Sequence, residues 1–470
     1  MALATIDPAS GQLRTTFSPL DAPELEDRLQ RSAAAFASYR TTTYSQRAAW
    51  MRAVADLIDE ETPTTAALLT LEMGKTIRSA RAELAKCAAG CRYYADNAER
   101  MLATEDVDAD AVKATRAYVR WEPLGPVLAV MPWNFPMWQV IRFAAPALMA
   151  GNTALLKHAS NVPQTALHLE DLFRRGGFPQ DVFSTLLIGS DQVEPVLRDD
   201  RVRAVSLTGS TVAGRSVAAL AGEVLKPAVL ELGGSDPFLV MPSADLEKAA
   251  EAAATARCQN NGQSCIAAKR FVVHRDVADR FEALFAKALG SLVVGDPMEE
   301  GTDVGPLATE RGREDVEELV QDAVDKGATV VLGGERPSGP GWFYPPTLLT
   351  GVTRDMRMHT EEVFGQVAQL HRVADLDEAL SLANDSAFGL GSNAWTNDPA
   401  EQERCAQELQ AGMVFLNGMT TSYPELPFGG IKGSGYGREL GELGIRAFCN
   451  AKTVWVGESS SGDTTTARPE

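Results

Sequence analysis

Cysteine and histidine are scarce in this 470-residue chain, with six Cys and five His. So few cysteines do not make a disulfide framework. Cys87 and Cys91 sit four apart in a helical pattern, but no second Cys or His pair stands at ligand spacing and no HExxH run occurs. A buried helix face is the better account of that pair, and no metal is expected. Basic residues are in deficit too, 44 Lys and Arg against 63 Asp and Glu, for a net charge of −19. Without a basic stripe there is no nucleic-acid footprint. No apolar run approaches the roughly 20 residues of a membrane span. Met1–Leu13 has neither the basic nor the apolar region of a signal peptide. The expectation is a cytoplasmic protein with no membrane and no nucleic-acid partner.

What is present is the composition of an ordinary globular enzyme, 45% hydrophobic and 23% charged. The length exceeds one compact core and implies two or more domains. Residues 3–16 read as a hairpin turning at Asp7-Pro8-Ala9-Ser10-Gly11. From Asp21, a plausible N-cap, to about Ala103 the pattern is helical. An extended strand is expected near Thr115–Trp121. After Pro126, short apolar runs alternate with helices: Val127–Met131, Thr153–Leu156, Phe183–Leu187, Ala204–Leu207 and Ala228–Glu231. A helix is expected over Phe135–Ala150. A second series follows Gly234, at Pro237–Val240, Phe271–Val273, Thr329–Leu332, Val367–Arg372, Gly391–Thr396 and Gly412–Leu416. Strands spaced by helices predict an α/β fold with two doubly wound parallel sheets, divided near residue 234.

Four segments bear chemistry. Cys258-Gln-Asn-Asn-Gly-Gln-Ser-Cys265 puts a cysteine after a Gly-Gln-Ser turn, where local dipoles are expected to lower its pKa, although a lone Cys is more often inert. Glu231 ends an apolar strand ahead of Gly233-Gly234; a carboxylate there acts as a general base or sits in a structural salt bridge. In Met131-Pro132-Trp133-Asn134-Phe135-Pro136, Pro136 suits the first turn of a helix. Asn134 either caps that helix or donates to a developing oxyanion. Leu207-Thr208-Gly209-Ser210-Thr211 is a strand–Gly–helix turn of the kind that binds phosphate, a weak signal because it is not GxGxxG.

Taken with Leu156-Lys157-His158-Ala159-Ser160, Glu361-Glu362-Val363-Phe364-Gly365 and Pro427-Phe428-Gly429-Gly430-Ile431-Lys432-Gly433, these segments resemble the aldehyde dehydrogenase superfamily from about residue 20 to 455. Within it the chain is most similar to the succinate-semialdehyde branch. The resemblance implies a cofactor domain over 1–103 and 123–233, a catalytic domain over 234–440, and an oligomerisation element from 104–122 and 441–457. The tail 458–470 is expected to be disordered. It further implies Cys265 as nucleophile, Asn134 as oxyanion donor and Glu231 as base. Lys157 and Glu362 would hold ribose hydroxyls, Gly209 and Ser210 the pyrophosphate, and Trp133 and Phe364 would flank the cofactor. Glu439 would relay protons or pair with a nearby cation. The implied assembly is a homodimer or homotetramer.

NADP is the favoured cofactor over NAD, because Ser160 stands where NAD-preferring relatives often carry Glu. Arg142, in an apolar helix, is a candidate for binding a substrate carboxylate, with Ser422 as second donor; the alternative is an ion pair with the facing domain. Two departures stand out. Gln366 replaces a usual Pro and is expected to loosen the cofactor loop. Gln259 stands where some succinate-semialdehyde enzymes place an Arg. The reaction implied is oxidation of succinate semialdehyde to succinate. The alternatives are a general aliphatic aldehyde dehydrogenase and a non-catalytic relative. An acylating relative usually lacks the base, and a thiol hydrolase would need a His beside Cys265.

Overall fold

The computed structural model describes residues 3–458; the expected disordered tail, beyond Glu458, lies outside the described residues. Four helices open the chain after the hairpin of Leu3–Asp7 and Gln12–Phe17. The first, Ala22–Tyr39, starts where the sequence signals: Asp21 accepts from the Glu24 amide and Glu24 answers to the Asp21 amide, a reciprocal cap.

Two sheets follow. The first has the spatial order Gly435–Tyr436, Ala228–Glu231, Ala204–Thr208, Pro126–Met131, Thr153–His158, Phe183–Thr185. All pairings in it are parallel except that of the short returning strand Gly435–Tyr436. The chain begins this sheet in the middle, winds outward to Phe183–Thr185, then crosses to the other side. The crossover leaves a crevice between the carboxyl ends of Pro126–Met131 and Ala204–Thr208, where doubly wound sheets bind ligands. Both the Trp133-Asn134 turn and the Gly209-Ser210 turn emerge there.

The second sheet has seven strands, with Asp236–Val240, Ala268–His274, Val367–Val373 and Gly391–Trp395 at its centre. It contains one strand the sequence pattern does not reveal, Thr347–Thr350. A third, three-stranded antiparallel sheet pairs Arg116–Pro123 with Cys449–Val456 and Glu105–Val107.

The helix Trp138–Ala150 is buried along all of its residues, which explains why it is apolar all round. It starts later than expected, so Pro136 lies just before it rather than in its first turn. Neither Asn134 nor Met137 caps it with a side chain. Glu83 does: its Oε1 accepts from the backbone amides of Met137 and Trp138, both at 2.8 Å. A carboxylate at a helix N-terminus satisfies orphan donors and opposes the helix dipole.

Candidate active site

The nucleophile loop begins where the helix Leu246–Cys258 stops. Asn260, Asn261 and Gly262 take successive left-handed conformations, with φ of 55°, 56° and 71°, a backbone that Asn and Gly tolerate best. A Cβ on Gly262 would lie 2.4 Å from the Gly365 carbon and the Gln366 nitrogen, so this approach requires glycine. Buried side chains then fix the loop. The Asn260 amide donates to the Asn134 and Gln263 carbonyls at 2.7 and 3.1 Å. Asn261 donates to the carbonyls of Gly74 and Pro306. Lys269, fully buried, donates to the carbonyls of Ser264, Cys265 and Ala267 at 3.0–3.1 Å and lies 3.3 Å from Glu362.

Cys265 is half-buried and lines two cavities at once. One, of about 270 Å³, occupies the crevice of the first sheet and is walled by Trp133, Asn134, Gly209, Ser210, Glu362 and Phe364. The Trp133 and Phe364 rings meet edge to face with centroids 5.8 Å apart. The other cavity, of about 250 Å³, runs between the helices and is lined by Glu83, Lys86, Trp138, Arg142, Gln259 and Ser422, among others. The expected lowering of the thiol pKa is not found. Burial pushes Cys265 up to about 12, with Arg142 and Lys269 opposing. Cys258, under the same burial, is also pushed up to about 12.

Asn134 is buried, and its Nδ2 donates to the Gln263 carbonyl at 3.1 Å. One of its two N–H groups remains for a ligand. Glu231 is 1% exposed, and neither carboxylate oxygen has a hydrogen-bond partner among the described residues. Burial raises its pKa well above the usual range and the neighbouring Glu439 adds to this, while Arg142 and Arg438 oppose. Its carboxylate lines neither cavity. It lies against Gly429, whose Cβ would come within 2.6 Å of Oε1. Glu439 accepts from Ser206 at 3.2 Å and ion-pairs with Arg142. Arg142 also donates to Thr208 at 3.3 Å and stacks 4.4 Å over the Phe428 ring. The acidic partner weighed for Arg142 is therefore present, although its guanidinium still borders the second cavity.

Lys157 and Ser160 do not line the Cys265 cavities. Lys157 lies in Thr153–His158, the strand beside Pro126–Met131, and burial lowers its pKa. The Ser160 carbonyl accepts from the Ala4 amide of the opening hairpin. Gln366 corrects another expectation. It is fully buried and its side chain donates to the Tyr344 carbonyl, which ties the loop down instead of loosening it. Sequence reasoning missed Glu83, Lys86 and Lys269. Their only signal is charge within otherwise apolar helical or strand patterns. No histidine lines either cavity, which leaves a thiol-hydrolase pairing without a partner.

A switch-point crevice and a second cavity sharing one thiol define a thiol enzyme built on a nucleotide-binding sheet. The chain belongs to the aldehyde dehydrogenase family, whose family model matches residues 1–454. It is 61% identical over 464 residues to the succinate-semialdehyde dehydrogenase [NADP(+)] of Mycobacterium avium, covering 98% of each chain. Its identity to the Mycobacterium leprae protein of that name is 59% over 456 residues, covering 97% of this chain and all of the other. Among solved structures, the succinic semialdehyde dehydrogenase from Streptococcus pyogenes in complex with NADP+ superposes with a TM-score of 0.94 at 37% identity, covering 97% of this chain and 100% of that one.

Proposed function

We propose that this aldehyde dehydrogenase oxidises succinate semialdehyde to succinate through a thioester on Cys265, with NADP favoured over NAD. The observation that carries this is the position of Cys265 between the crevice and the second cavity, where one thiol faces both cofactor and aldehyde. The names of the close relatives and the NADP+ complex of the solved neighbour support the substrate and cofactor.

The crevice fits a dinucleotide. The helix Thr211–Glu223 presents its N-terminus behind Gly209 and Ser210, Glu362 stands opposite, and Trp133 and Phe364 form a wall. We assign Lys157 and Ser160 to the adenosine ribose and its 2′-phosphate. When bound, the nicotinamide supplies the hydride acceptor.

Cys265, its thiol proton released to solvent through the crevice, adds to the aldehyde carbon as the carbonyl π pair moves to oxygen, and the free N–H of Asn134 and the Cys265 amide receive that oxyanion. Lys269 and Asn260 hold the loop so that the sulfur does not drift. After hydride loss, Glu231 turns from Gly429 toward the thioester and takes a proton from the hydrolytic water. Burial and the neighbouring Glu439 charge raise its pKa, which makes its ionised form a stronger proton acceptor than an ordinary carboxylate. In the second cavity, Ser422 and a cationic side chain beside it receive the substrate carboxylate, while Arg142 is held by Glu439.

We further propose a homodimer or homotetramer built on the three-stranded sheet, whose Trp455 is 54% exposed. All six cysteines are free, which suits the reducing cytoplasm. The test is reduced-cofactor formation from an aldehyde panel with NADP and with NAD, without coenzyme A. Higher kcat/KM with butanal than with succinate semialdehyde overturns the substrate assignment. Higher efficiency with NAD overturns the cofactor assignment.

A further inference from the structure

We infer that Lys86, acting with Ser422, binds the terminal carboxylate of the substrate and sets the preference for carboxylate-bearing aldehydes. This rests on the proposed succinate-semialdehyde activity and assigns its specificity to a residue outside the nucleophile and cofactor motifs.

Three charged side chains line the second cavity: Glu83, Lys86 and Arg142. Two of them are already neutralised. Glu83 pairs with the buried Lys75 and caps the helix Trp138–Ala150. Arg142 pairs with Glu439 and is held by Thr208 and Phe428. Lys86 has no carboxylate within ion-pairing distance among the described residues. Its Nζ donates to Ser422 Oγ at 2.6 Å and lies 4.7 Å from the centroid of the Trp138 ring. Gln259, on the same wall, is neutral. The one uncompensated charge of the cavity is therefore a half-buried ammonium.

Ser422 reports the same ligand independently. It is 4% exposed, and its Oγ accepts twice, from Lys86 Nζ at 2.6 Å and from Trp138 Nε1 at 3.1 Å. A hydroxyl has two acceptor positions and one proton. With both acceptor positions filled, the Ser422 proton must be given away, and no described side chain or carbonyl receives it. Lys86 has three N–H groups, of which Ser422 engages one. The cavity thus offers several unspent donors and a positive charge to an acceptor-only anion. A carboxylate has that chemistry, and such charge-assisted bonds are the strong ones. An alcohol or alkyl terminus would leave these donors buried and unpaired, which discriminates against it.

The test compares kcat/KM for succinate semialdehyde and for butanal, which differ only in the terminal carboxylate, in the full-length enzyme. In Lys86→Met the ratio should fall roughly 30- to 100-fold, the range for a lost bond to a charged group, and the fall should lie in KM. Lys86→Arg should keep more of the ratio than Lys86→Met, and Ser422→Ala should lower it by a smaller factor.

If Lys86→Met does not fold, the unaltered enzyme still decides. Burial, with Arg142 adding, lowers Lys86 to about 8, against the opposing pull of Cys87 and Glu83. The cation is lost as pH rises through 8, so KM for the semialdehyde should climb between pH 8 and 9.5 relative to that for butanal. A ratio that survives Lys86→Met, equal losses on both substrates, or a flat pH dependence of the KM ratio overturns the assignment of Lys86. A wild-type enzyme with no preference for the semialdehyde overturns the proposed substrate first, and Lys86 with it.

Discussion

Lys269 Nζ lies 3.0 Å from the backbone carbonyl of Cys265, and the same ammonium holds the carbonyls of Ser264 and Ala267. A fully buried cation spent on three carbonyls and Glu362 acts as a fixed post beneath the nucleophile. Lys269→Met removes every one of those bonds and leaves the acceptors without partners. We expect a loss of about 2–4 kcal/mol in urea unfolding. The rate of thioester formation should fall in single-turnover experiments even where the variant remains folded. Unchanged stability and rate would show that the loop holds its shape without this lysine.

The thiol itself makes a pH prediction. Cys265 is pushed up to about 12 by burial, so the cofactor-free protein carries the neutral thiol at pH 7. Below that value the thiolate fraction rises about tenfold per pH unit. Alkylation of Cys265 by iodoacetamide, with Cys265→Ala as the control for the other cysteines, should accelerate continuously from pH 7 to 10. A plateau by pH 8 would mean the thiol is activated without ligands, as the Gly-Gln-Ser turn alone suggests.

The residues proposed to carry the chemistry were named from the sequence, while those that position them were not. Cys265, Glu231 and the Gly209-Ser210 turn sit at element ends near glycines, and Asn134 sits between two prolines at a strand end, local patterns that a linear reading detects. Glu83 caps a helix that begins 55 residues later, and Lys86 meets Ser422 across 336 residues, so no spacing announces either. The strand Thr347–Thr350 was missed because it is four residues long and follows Pro345-Pro346. The thiol pKa was misjudged because dipoles at a turn are visible in sequence whereas the depth of the turn is not.

Asn134 and Glu231 separate by kinetics. Asn134→Ala should lower kcat by roughly 10²–10³, the usual cost of one oxyanion donor. Part of that loss reflects the bond to Gln263 that also steadies the loop. Glu231→Gln should leave a pre-steady-state burst of reduced cofactor and then slow turnover, because acylation does not need the base that deacylation does. Normal steady-state turnover would remove Glu231 from that role.

Arg142 and Glu439 give the last prediction. Their side chains are 2% and 4% exposed, and Glu231 already feels the Glu439 charge. Removing one member of such a pair leaves an uncompensated charge in the interior, at a cost of about 3–5 kcal/mol. Arg142→Leu should therefore destabilise the fold and push Glu231 further up, since Arg142 is the first charge opposing its rise. Deacylation would then lose its base over a wider pH range, and turnover of succinate semialdehyde and of butanal should fall together. Arg142→Leu combined with Glu439→Leu removes both charges and should recover most of the lost stability. If Arg142→Leu instead raises KM for the semialdehyde alone and leaves the melting temperature unchanged, the guanidinium is a carboxylate ligand and its pairing with Glu439 is incidental.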